Sequence, residues 1–166
     1  CPEVQQGCRE AIAQDEPEIS DSFFDRLIIY ARTLAVPRAR PADEATFQAG
    51  LEGLSGLAKV GAALGCLRVP TWVSSYSDER PFQEQFDLLT GRFRRMAGIL
   101  KDHGCSLALE FIGPKTLRVG HKHEFIYTMR GMLDLCDAVG TGNVGLLLDC
   151  WHWYTSHGTL DDLRKL

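Results

Sequence analysis

The sequence predicts an α/β fold in which helices alternate with the strands of a parallel sheet. Three segments carry apolar residues at helical spacing on a single face, a pattern that is typical of helices packed against a flat surface. Short apolar stretches lie between these segments, and strands that are apolar on both faces are characteristic of a parallel sheet covered by helices. This alternation predicts βαβ crossovers.

Start and stop signals define the predicted helices. We expect helices over residues 42–63, 82–102 and 124–138. Pro81 suits the first turn of the second helix, and Gly104 and Gly140 end the second and the third. Thr159 followed by Asp162 predicts a capping box that opens a final helix.

The stretches between the helices are the predicted strands. They comprise residues 27–30, 67–69, 107–112 and 144–149. Gly65 and Gly104 each precede a strand and are 39 residues apart, and Glu110 and Asp149 are separated by the same interval. A repeat of this length fits one βα unit with a long loop.

Length, net charge and the length of the apolar runs exclude several classes of protein. A length of 166 residues fits one domain, which we place over residues 1–166. The net charge of −4 argues against nucleic acid as the main ligand and against an anionic membrane surface. No apolar run is long enough to span a bilayer.

The cysteines indicate a reducing compartment. None of the six cysteines stands in a CxxC or CxxH spacing, which excludes a zinc ribbon and a thioredoxin-type motif. Cys66, Cys105, Cys136 and Cys150 lie inside or beside apolar runs, where a free cysteine behaves as a small hydrophobe. We therefore expect a cytoplasmic protein.

Two acidic residues follow apolar strand segments and are the main candidates for a functional site. Glu110 ends one strand and Asp149 ends the next. Ligands of parallel α/β folds gather at the carboxyl ends of strands, and two carboxylates that meet there repel unless a cation or proton lies between them. The alternatives are an ion pair between Glu110 and a basic side chain, and a helix-capping role for Asp149.

Aromatic and imidazole groups surround these acids in the sequence. His152, three residues after Asp149, suits a metal ligand, a proton carrier or a hydrogen-bonding partner of the substrate. Trp72 and Trp151, with Trp153, would form an apolar wall against a sugar, although core packing explains these residues equally well. His121 and His123 form an HxH in a loop with Lys115, Arg118 and Lys122, and a solvated basic loop is the favoured interpretation.

The segments LALEFIG and HEFIYTMRGMLDLCDAVGTGNVGLLLDCWHWYTSHG resemble the sugar-phosphate isomerase/epimerase family of the xylose-isomerase-like (β/α)8 barrels. The inosose isomerase type is the most similar, and endonuclease IV is a distant relative. The resemblance implies that Glu110 and Asp149 bind a divalent metal (Mn, Mg, Zn or Co) and that Glu110 is also an acid/base. By the same match, His152 lies beside a sugar or sugar-phosphate substrate, and the reaction is proton transfer next to a carbonyl.

On this mapping the chain contains about strands two to five of a TIM barrel. A full barrel takes roughly 250 residues, and the family's histidine of strand six and glutamate of strand eight have no counterpart here. We therefore expect a partial barrel with weak metal binding and little or no turnover as an isolated chain, and we expect homo-oligomers because sheet edges are left open. The alternative is a noncatalytic half-barrel scaffold or subunit. A phosphodiester hydrolase of the endonuclease IV type is disfavoured by only five histidines and the acidic charge.

Overall fold

Helices and strands alternate along residues 44–164, which a computed structural model describes together with residue 166. The α-helices are α1 (Glu44–Ala63), α2 (Phe82–Lys101), α3 (Met129–Val139), α4 (Cys150–Thr155) and α5 (Leu160–Leu163). The strands are β1 (Arg68–Val73), β2 (Tyr76–Ser77), β3 (Ser106–Phe111), β4 (His123–Glu124) and β5 (Val144–Leu147), and a 3-10 turn covers Lys115–Leu117. The strand predicted at residues 27–30 lies outside the described residues.

A three-stranded parallel sheet forms the centre of the fold. β3 lies between β1 and β5, and both pairings are parallel. α2 connects β1 to β3 and α3 connects β3 to β5, so the predicted alternation of strands and helices is confirmed. Two successive parallel strands need such a crossover, because a tight turn reverses the chain and would make the next strand antiparallel.

Among the described residues, helices cover one face of this sheet. Val69 and Val73 of β1 and Leu107, Leu109 and Phe111 of β3 are buried. The other face is partly open, and on β1 it carries Arg68, Pro70 and Trp72, all of which are exposed. The prediction that the strands are apolar on both faces agrees with Pro70 and Trp72, but within the described residues this second face of β1 is exposed.

The core lies between the covered face and the apolar stripes of the helices. Leu89, Phe93 and Met96 of α2 are buried, as are Met132 and Leu135 of α3. Burying a side chain of this size stabilises the fold by about 1.5–3 kcal/mol. The predicted apolar stripes are thus the faces that hold the layers together.

The predicted boundaries of the second helix and of the final capping box are confirmed. α2 begins at Phe82 and ends at Lys101, and the Thr159 and Asp162 side chains cap α5 reciprocally. The third helix begins five residues later than predicted, because Glu124 pairs in β4 and the Thr128 side chain caps the helix by accepting the Gly131 N–H.

The ends of two strands also differ from the prediction. β1 continues through Pro70 to Val73 instead of ending at Val69. A proline signals a break because it lacks an N–H, but strands at a sheet edge tolerate it, and β1 has no second neighbour among the described strands. β5 ends at Leu147 instead of Asp149, because Asp149 turns away to start α4.

The prediction that four cysteines behave as small buried hydrophobes is confirmed for two of them. Cys105 and Cys136 are buried, whereas Cys150 is exposed at the first position of α4, and Cys66 is intermediate. Cys150 differs because it lies on an exposed side of α4, next to the exposed Trp151. Within residues 44–164 none of the helices has the length and apolar character that a bilayer crossing requires.

Candidate active site

Glu110 lies on the open face of the sheet near the carboxyl end of β3. Its neighbours in register are Trp72 on β1 and Leu147 on β5. Burial raises the pKa of the Glu110 carboxyl above its usual value, while the charge of His152 lowers this pKa and that of Asp149 raises it. Within the described part of the chain, no arginine or lysine forms an ion pair with Glu110, so the ion-pair alternative finds no support there.

Asp149 takes the helix-capping role that the sequence left open as an alternative. It has extended backbone angles and lies two residues beyond the end of β5, where its Oδ1 accepts the N–H groups of Trp151 at 2.7 Å and His152 at 3.1 Å. Asp149 therefore caps α4, as the helix-cap alternative states. Both bonds go to Oδ1, so among the described residues Oδ2 keeps its lone pairs for another partner.

Parallel pairing brings these two acids to one edge of the sheet. Glu110 pairs with Leu147, and Asp149 follows Leu147 by two residues, so both carboxyls belong to neighbouring strand ends. The influence of Asp149 on the pKa of Glu110 also indicates that they are near each other. Carboxylate oxygens suit Mg²⁺, Mn²⁺ or Zn²⁺, although no cluster of three or more His, Cys, Asp or Glu side chains occurs within the described residues. The two acids fit part of a metal site.

His152 lies on α4, directly beside the acids. The backbone N–H of His152 donates to Oδ1 of Asp149. A positive charge on the His152 ring lowers the pKa of Glu110. The Nδ1 atom is buried and has no hydrogen-bond partner among the described residues. Buried polar atoms are usually hydrogen-bonded, so Nδ1 of His152 is an atom at which a further group can form a hydrogen bond.

The tryptophans predicted to form a sugar-facing wall are divided between two places. Trp72 stands next to Glu110 on the open face and is 44% exposed, close to the carboxyl end of β1 as predicted. Trp151 is 60% exposed and lines an open groove of about 730 Å³ with Pro114, Lys115 and Tyr154. Neither Trp72 nor Glu110 is among the residues that line this groove, so Trp72 and Trp151 do not face one common groove in the described part of the chain.

The basic loop is only partly solvated. His121 Nδ1 is 2.8 Å from Asp78 Oδ2, and the His121 ring stacks on Tyr76. The interpretation as a solvated loop is wrong for Arg118, which is 8% exposed. Nη1 of Arg118 donates to the Gly113 carbonyl at 2.8 Å. The burial of Arg118 depends on partners that folding brings together, so no spacing pattern in the sequence predicts it.

Gly113 is a second residue that the sequence reasoning missed. A Cβ atom at this position would overlap the carbonyl oxygen of His152 and lie 2.6 Å from Thr155 Oγ1. The backbone after β3 therefore lies directly against α4, and only glycine permits this approach. The sequence signal is the glycine itself, placed three residues after Glu110 in LEFIG.

Comparisons with known proteins agree with this architecture. An inosose isomerase from Halalkalibacterium halodurans is 34% identical over 70 residues, which are 42% of this chain and 22% of that protein. The structure of a xylose isomerase domain protein from Alicyclobacillus acidocaldarius aligns with a TM-score of 0.70 and 32% identity, covering 76% of this chain and 44% of that one. The structure of IolI protein with a binding zinc atom aligns with a TM-score of 0.60 and 20% identity, over 75% and 42% of the two chains.

The family comparison covers most of the sequence. The chain spans less than half the length of each of these relatives, whereas the family match extends over residues 24–165. The parallel sheet with helices on one face agrees with part of a TIM barrel, whose inner face is lined by the strands. The chain therefore belongs to the xylose isomerase-like TIM barrel family.

Proposed function

We propose that this chain carries part of the active site of a metal-dependent isomerase or epimerase that acts on a sugar, an inosose or a sugar phosphate. The observation that carries the proposal is the half-buried Glu110 carboxyl, whose pKa responds to both Asp149 and His152. The names of the relatives, inosose isomerase and a zinc-binding IolI protein, support the same reaction class. The protein is expected to act in the cytoplasm.

The proposed reaction is proton transfer at the carbon next to a carbonyl. Glu110 and Asp149 would hold the divalent ion, which when bound polarises the substrate oxygens. A carboxylate of raised pKa suits proton transfer near neutral pH, so Glu110 would take the proton from carbon and a second acid would return one. His152 would orient a substrate hydroxyl, while Trp72 and Trp151 would present apolar surface to the sugar ring.

Metal titration of the 166-residue chain tests the proposal. We expect weak binding of Zn²⁺ or Mn²⁺ by calorimetry and loss of that binding in Glu110→Gln. Glu52→Gln is the matched control, because Glu52 is exposed on α1 and takes no part in the proposed site. Equal metal affinity of wild type and Glu110→Gln would contradict the proposal.

The chemistry has its own readout. Proton transfer in D₂O replaces the hydrogen next to the carbonyl by deuterium, and proton NMR follows this exchange in an inosose or a ketohexose. The chain spans less than half of its relatives, so we expect little or no exchange with the chain alone. Rapid exchange by purified monomer would show that the two acids and His152 suffice.

The open sheet face supports a second candidate, a noncatalytic half-barrel scaffold or subunit. Trp72 and Pro70 are exposed on this face, and apolar surface of this kind favours association. Light scattering combined with gel filtration distinguishes the two. A homodimer that binds metal favours an active site completed between chains, whereas a dimer indifferent to metal favours the scaffold.

A further inference from the structure

Arg118 is a buried cation held by three different segments. Its Nη1 donates to the Gly113 carbonyl at 2.8 Å, and its Nε lies 3.4 Å from Glu124 Oε1. The guanidinium also stacks over the Tyr127 ring, 3.7 Å from the ring centre. A buried charge is tolerated when it is paired and hydrogen-bonded. Here Nη1 makes the hydrogen bond and the Glu124 carboxylate supplies the opposite charge, whereas Nε makes no hydrogen bond among the described residues.

The carbonyl that Arg118 holds belongs to the residue that touches α4. Gly113 approaches so closely that a Cβ atom would overlap the carbonyl oxygen of His152. A glycine has no side chain by which to anchor itself, and its backbone is the most freely rotating of any residue. The bond to Arg118 is a side-chain contact made directly to the Gly113 backbone, and it ties this segment to the loop that carries the arginine.

We propose that Arg118 is a positioning residue that sets the place of α4, and with it His152, relative to Glu110. It acts through Gly113, which lies three residues after Glu110 and against the backbone of His152, and it touches no reacting atom. The inference rests on the proposed function, since it assigns the arginine to the same site.

Amide hydrogen exchange measured by mass spectrometry tests this role. The reporters are the N–H groups of Trp153, Ser156 and Gly158, which bond within α4 and its last turn. Arg118→Met should speed their exchange about tenfold and leave the amides of α2 unchanged. Arg118→Lys, which keeps the charge and one donor toward Gly113, should restore part of the protection.

Arg94→Met is the matched control. Arg94 also donates to backbone carbonyls, those of Val139 at 2.9 Å and Ala138 at 2.8 Å, but at the end of α3. Its loss should leave exchange in α4 unchanged. If Arg118→Met does not fold, Tyr127→Leu keeps the arginine while removing its stacking partner and should speed α4 exchange in the same way.

Two results would overturn the proposal. Equal acceleration in α2 and α4 would mean that Arg118 only stabilises the whole fold, and unchanged exchange in α4 would mean that it does not position the helix. The measurement needs no metal or substrate. Failure of wild type to bind metal would thus defeat the proposed function without altering this comparison.

Discussion

Asp149 accepts the backbone N–H of His152 at 3.1 Å through the same oxygen that caps Trp151. One carboxylate thus closes the amino end of α4 and stands beside the imidazole that this helix carries. Negative charge at a helix amino end is favourable in its own right. The capping role and the proposed metal-binding role can be separated by substitution.

Replacement of Asp149 by asparagine or alanine separates these roles. Alanine removes the cap and should lower the free energy of unfolding by about 1 kcal/mol. Asparagine caps nearly as well as aspartate, so it should retain most of that stability but lose metal binding with the charge. Urea unfolding and calorimetric titration with Zn²⁺ measure the two effects. Wild-type metal affinity in Asp149→Asn would identify Asp149 as a cap alone.

The close approach of Gly113 to α4 predicts a costly methyl group. Gly113→Ala must push α4 away from β3, and forced repacking of this kind costs about 1–3 kcal/mol. Gly98→Ala is the control, since nothing lies within 4 Å of a Cβ atom there. Because Gly98 lies within α2, alanine should stabilise the chain by roughly 0.5–1 kcal/mol. Similar unfolding midpoints in urea for the two variants would contradict the described contact.

The raised pKa of Glu110 makes the stability of the chain depend on pH. The folded chain holds the Glu110 proton more tightly than the unfolded chain, because burial raises this pKa above its usual value. Stability from this group is therefore present at low pH and is lost as pH rises through the folded pKa. Glu110→Gln should be more stable than wild type at about pH 8 and should lose this advantage near pH 4. A constant difference between the two urea curves at both pH values would show that Glu110 is not desolvated.

The buried and exposed cysteines should react at very different rates. Burial, assisted by the charge of Asp137, raises the pKa of Cys136 to about 11 from an ordinary value of 9.0. At a pH below 9 the Cys136 thiol therefore has roughly 100-fold less thiolate than an ordinary cysteine. The side chain is also buried. Iodoacetamide at about pH 8 should label Cys150 in the native chain and Cys136 only after unfolding, as followed by peptide mass spectrometry. Equal native labelling of both would contradict the burial of Cys136.

The helices and the neighbouring positions of the two acids could be predicted because both depend on local pattern. The apolar stripe of α2 predicted its first residue, Phe82, and the apolar run before each acid predicted that Glu110 and Asp149 lie near the ends of successive strands. The start of α3 was missed because Phe125 and Ile126 are buried ahead of the helix and extend its apolar pattern. The true signal was Thr128, a good capping residue.

Other features depend on contacts between distant segments and gave little local signal. The course of β1 through Pro70 depends on its position at the edge of the described sheet. The burial of Arg118 depends on Tyr127, Glu124 and the Gly113 carbonyl, and in the sequence it stands among lysines like any surface arginine. The open face of the sheet was missed because an apolar strand has the same composition whether one or both of its faces are covered.

The register that puts Trp72 beside Glu110 has a practical consequence for spectroscopy. The chain has three tryptophans, and the other two, Trp151 and Trp153, lie on α4. Tryptophan fluorescence, excited selectively so that the tyrosines do not contribute, therefore comes only from β1 and α4, while α1 and α2 emit no indole signal. Emission spectra will follow changes around the carboxyl ends of the strands without any added dye, and melting curves recorded by fluorescence will report this region and not the separation of α1 from α2.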